Sequence, residues 1–114
     1  MNLISFYSHI DEKLVESQRE YGEVTEKYIE ARELYMNAML KYEMAYANAV
    51  SSRKVDGEKV TVVRELAKQD AFTEYEAMVR AEHLKKRYMY MREIIQEKLN
   101  TCKALMRMKL GDAG

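Results

Sequence analysis

Between Lys85 and Lys109 the sequence sets eight basic residues against two acidic ones. Lysine and arginine at this density can neutralise a phosphate backbone, and neighbouring aromatic rings can stack on bases. At about 100° per residue, Lys85, Arg92, Gln96, Lys103 and Arg107 fall in one narrow stripe of a helix. That stripe flanks the apolar seam rather than overlapping it, and the expected nucleic-acid contacts of this basic stretch are Lys85, Lys86, Arg87, Arg92, Lys103 and Arg107. Tyr88 falls near the seam edge, whereas Tyr90 projects elsewhere. Two plainer causes compete with this reading. A basic stretch near a helix C-terminus complements the macrodipole, and a basic helix pairs well with an acidic one in the same chain.

Catalytic chemistry has little to stand on. His9 and His83 are far apart, and no metalloprotease-type histidine spacing or glycine-rich phosphate loop occurs. Glu23, Glu26 and Glu30 have helical spacing, but a di-metal site also needs Glu-x-x-His on facing helices, and Glu82 and His83 are adjacent. Cys102 falls on an apolar stripe, where a free thiol acts as a small core residue. We therefore expect no catalytic, cofactor or metal site, and a protein that is not an enzyme. The methionines gather in close pairs (Met36 and Met39, Met89 and Met91, Met106 and Met108), suited to core filling or to an adaptable partner surface.

The elements that must position these residues are long helices. Tyr21, Tyr28, Tyr35 and Tyr42 stand seven residues apart, in phase with Leu14 and Ala49. Three residues behind them come Val24, Ala31, Ala38 and Ala45. This heptad puts a large residue at one seam position and a small one at the other, as in close helix packing. The expected helix–helix seam is Tyr21, Tyr28, Tyr35 and Tyr42 with Ala31, Ala38 and Ala45. The first helix should run from about residue 8 to 52, with Ser8 as its cap; Gly22 inside it costs roughly 1 kcal/mol relative to alanine. Asp56-Gly57 signals a turn over residues 53–60. Thr61 is the natural cap of a second helix running to about residue 109. In that helix Val63, Leu66, Ala67, Ala71, Tyr75, Met78, Ala81, Leu84, Tyr88, Met91, Ile95, Leu99, Cys102, Leu105 and Met106 recur mostly at alternating intervals of three and four. Residues 1–52 carry five basic and nine acidic side chains, and residues 60–110 carry eleven and seven. The expected fold is all-α: one long, coiled-coil-like antiparallel helical hairpin, a single domain over residues 1–114, its burial completed by homo-oligomerisation or by docking on a larger partner.

Composition narrows the class further. The chain has 114 residues, no proline, four glycines and zero formal net charge. No global charge drives it to nucleic acid or to anionic lipid. No apolar run approaches the roughly 20 residues that span a bilayer. The apolar start at Leu3, Ile4, Phe6 and Tyr7 lacks the basic lead of a signal peptide. With a single cysteine, the expected setting is the cytoplasm, without membrane contact.

The Tyr/Ala-rich stretch Lys41-Tyr42-Glu43-Met44-Ala45-Tyr46-Ala47, the turn Lys54-Val55-Asp56-Gly57-Glu58-Lys59, the start Val60-Thr61-Val62-Val63-Arg64 and the run Tyr88-Met89-Tyr90-Met91-Arg92 carry a resemblance. Over residues 25–109 the layout resembles small helical-hairpin proteins of bacteriophage recombination and replication regions, and is similar to the UvsY-type recombination mediators. The resemblance implies an oligomeric, non-enzymatic accessory protein that touches single-stranded DNA, acting in a host cytoplasm. The alternative is a protein–protein adaptor, or a small inhibitor of a host or defence complex, docking a host or phage protein without nucleic acid.

Overall fold

The computed structural model describes residues 9–113. Three helices follow one another: α1 (Ile10–Val55), α2 (Val60–Asp70) and α3 (Phe72–Ala113). No strand occurs among the described residues. The fold is an all-α helical hairpin in which the two long helices pack against each other. The expected cap at Ser8 and the apolar lead-in over residues 3–7 lie outside the described residues.

α1 outruns its expected end by three residues. Asp11 and Glu12 in its first turn, and Arg53 and Lys54 in its last, complement the helix dipole. The helix passes Gly22 without a break. Gly57, at φ 81°, takes the left-handed conformation that stops α1. The Glu58 N–H donates to the Arg53 carbonyl at 3.4 Å and the Gly57 N–H to the Lys54 carbonyl at 3.0 Å. These bonds satisfy carbonyls that the helix end would otherwise leave open. Arg53 then pairs with Glu58 at 3.2 Å and with Asp70 at 2.9 Å, joining the end of α1, the turn and the end of α2.

Two expected boundaries are corrected. Thr61 is not a cap: Lys59 holds the extended N-cap conformation with no side-chain cap bond, and its carbonyl accepts from the Val63 N–H at 2.8 Å. The chain leaves the Gly57 turn already placed to start a helix at Val60, so Thr61 sits inside the first turn. The second helix is also two helices, divided at Ala71 (φ −96°, ψ 16°). The buried positions Val63, Ala67 and Ala71 are spaced four and four, and a run of fours drifts off the three-and-four alternation that a straight seam needs. The single non-helical residue lets α3 restart in phase.

The hairpin comprises two compact units. One pairs α1 up to Tyr28 with α3 from Arg87 onward. Ile10, Ser17 and Val24, seven residues apart, are its buried positions on α1, and Leu99 and Cys102 are those on α3. Lys98 reaches across to Glu20 at 3.4 Å. The other unit holds Ile29–Lys86. Its buried hydrophobic residues are Ala31, Val63, Ala67, Ala71 and Ala81. A layer of alanines lets backbones approach closely but removes little apolar area from water. Tyr42 packs beside it, its ring 5.5 Å from that of Tyr75 and 6.2 Å from that of Tyr46, tilted in both pairs.

Candidate nucleic-acid interface

The seam tyrosines Tyr21, Tyr28, Tyr35 and Tyr42 are half-buried, and the small positions vary along α1. Ala31 is buried, whereas Ala38 and Ala45 are half-buried. The tyrosine faces do not meet only apolar side chains. In the first unit the Arg92 guanidinium lies 5.3 Å from the Tyr21 ring centroid and 5.7 Å from that of Tyr28. Arg92 Nε also donates to the Tyr21 hydroxyl at 3.2 Å. In the second unit Lys85 Nζ sits 4.3 Å from the centroid of Tyr35. Each cation stands over the negative face of a ring, a favourable arrangement once partly desolvated.

This changes the basic ridge. Lys85 and Arg92 do not flank the seam; they occupy it, and both are half-buried. The inward positions of α3 run Met78, Ala81, Lys85, Tyr88, Arg92, Ile95, Leu99, Cys102 and Met106, in steps of three and four. Counting only apolar residues steers the eye to Leu84 and Met91, one place earlier in each case. Met91 is 41% exposed. The signal for the true path was strict heptad continuation opposite a tyrosine ladder, which welcomes a cation where leucine is usual.

The remaining cations divide by partner. Lys86 Nζ is 2.8 Å from Glu82 Oε1 and holds the Glu82 carboxyl below its ordinary range, first by the hydrogen bond and then by its charge. Arg87, Lys103 and Arg107 are exposed and form no ion pair among the described residues. Lys103 and Arg107 continue a polar ridge that begins at Gln96 and Asn100, whose amides bond to each other at 3.1 Å. These four residues are spaced four, three and four, so they line one face over about three turns. On α3 this ridge can meet a phosphate backbone; Arg87 lies about 160° round the helix from Lys103 and stands apart from it. Tyr90, 57% exposed and three residues on from Arg87, presents a ring to solvent.

No three His, Cys, Asp or Glu side chains converge to hold a metal ion among the described residues. His9 is exposed, its Nδ1 3.7 Å from Glu12, and Cys102 is buried. No helix among the described residues is long and apolar enough to cross a membrane. A separate groove of about 400 Å³ opens in the second unit between Leu34 and Ala38 of α1 and Ala81 and Leu84 of α3. No protein-family model, curated protein or solved structure matches the chain.

Proposed function

We propose that the protein is a non-enzymatic binding protein that holds single-stranded nucleic acid along the exposed basic ridge of α3, as an accessory factor of phage-type DNA recombination or replication. One observation carries the reading. After the seam and the ion pairs have taken their share of the basic residues of α3, Lys103 and Arg107 stay exposed and form no ion pair among the described residues, beside the Gln96–Asn100 amides on one face. Cations and amides on one face suit a phosphate backbone, and they carry no requirement for a particular sequence. Fluorescence anisotropy with a labelled single-stranded oligonucleotide at low salt tests it. Binding should weaken roughly tenfold or more when Lys103 and Arg107 are both changed to glutamate. No binding at tens of micromolar protein sinks the reading.

The open groove favours a second reading, a protein–protein adaptor or small inhibitor of a host complex. Leu34, 54% exposed, lies on its rim, where a partner helix can be received. Failure of the chain to recover any stoichiometric partner from host lysate removes this reading.

A further inference from the structure

We propose that the groove of the second unit is the dimerisation surface of this protein, and that its occupant is the same groove of a second copy. The inference deepens the oligomeric expectation and is independent of nucleic-acid contact. The groove floor is small, with Ala38 on α1 and Ala81 on α3, so another helix pair can approach closely. Its walls are Leu34 and Leu84, and Met44, 57% exposed, extends the apolar strip one turn beyond Lys41. Two groups at the groove have unmet needs. Glu74 lines the groove and forms no ion pair among the described residues. Lys41 lines the groove and has no ion-pair partner among the described residues.

Tyr35 meets Lys85, and Tyr42 meets Tyr75, so Leu34 is level with Leu84 and Lys41 lies toward the Glu74 end. A two-fold axis parallel to the helices lays α1 of one copy over α3 of the other. Leu34 then meets Leu84 of the second copy, and Lys41 comes within reach of its Glu74. The same two contacts recur on the other side of the axis, as an isologous interface requires. The product is a four-helix bundle in which every neighbouring pair is antiparallel. The second unit, with a core made largely of alanine, gains the apolar burial that it lacks alone.

Sedimentation of the full chain tests the proposal, with circular dichroism to confirm that each variant keeps its helix content. The native chain should be a dimer, and Leu34→Glu should raise the dimer dissociation constant at least tenfold with helicity unchanged. Lys41→Glu alone and Glu74→Lys alone should each weaken self-association, because like charges then face one another. Mixing those two variants should restore a heterodimer, since each supplies the charge that the other lacks. A chain that stays monomeric at high concentration, leaving the groove for a foreign helix, overturns the proposal. So does a dimer that is indifferent to Leu34→Glu, or a mixture that shows no rescue. Anisotropy with the oligonucleotide reads the α3 ridge separately, so either proposal can fail without the other.

Discussion

Arg92 shows how one side chain can serve a helix seam without being apolar. Its alkyl stem fills the inward position, while the guanidinium lies over two tyrosine rings and donates to the Tyr21 hydroxyl at 3.2 Å. Arg92→Ala should lower stability by about 1–2 kcal/mol, combining lost ring contacts with a lost hydrogen bond. Tyr21→Phe, which removes the bond alone, should cost about 0.5–1.5 kcal/mol. Urea denaturation checks both, and the order of the two costs is the informative result. Asp70 gives a prediction in pH. The hydrogen bond from Arg53, reinforced by its charge, holds the Asp70 carboxyl below its ordinary value of 3.8. The unfolded chain therefore takes up the proton first as pH falls. The stabilisation is complete above that ordinary value and drains away as pH drops through the lower folded value. Asp70→Asn should lower the melting temperature near neutral pH and flatten its fall in acid. A variant that keeps the full acid dependence would show that other carboxylates carry it.

Between elements, the seam of α1 is uneven along its length. Ala31 is buried, but Ala38 borders the open groove. Overpacking a closed helix contact costs typically about 1–3 kcal/mol. Ala31→Leu should pay that in full at any protein concentration, whereas Ala38→Leu should cost clearly less where the chain is dilute enough to be monomeric and approach the same cost as a second copy fills the groove; Glu30→Ala on the exposed face should cost least of all. Thermal unfolding of the three variants across a concentration series orders them; equal values for the two alanine positions at the lowest concentration would mean that the groove is closed in the monomer. The tyrosine ladder cannot choose its own register, because a slip of seven residues brings tyrosine to tyrosine again. That choice falls to the turn. Gly57 stops α1, and Arg53 ties Glu58 and Asp70 together, which sets where α2 and then α3 begin.

For the molecule as a whole, zero net charge means that attraction to nucleic acid has to come from distribution rather than total. The exposed cations of α3 without an ion pair among the described residues are few, so on the proposed function few phosphates would be neutralised. Affinity for single-stranded DNA should fall with salt on a shallow slope, about 0.7 in logarithmic units for each phosphate held. Lys103→Ala with Arg107→Ala should reduce that slope by roughly one to one and a half. Anisotropy across a salt series measures it, and a slope unaffected by the double variant would move the contact off this ridge.

The helical class, the hairpin and its turn were legible in the amino-acid order. Heptad spacing of Tyr21 to Tyr42 and the Asp56-Gly57 pair need only local geometry to be read, since 3.6-residue periodicity and a left-handed glycine are properties of short stretches. The depth of each position was not legible. Whether Lys85 flanks the seam or enters it depends on what stands opposite, and a tyrosine face accepts a cation that an aliphatic residue would reject. The break at Ala71 likewise follows from two spacings that fit a helix singly but not one continuous seam. Sequence by itself determined which faces of the helices could be buried. Only the packed structure decided how the cations of α3 divide between holding the tyrosines and facing solvent, because burial belongs to pairs of surfaces rather than to either chain segment alone.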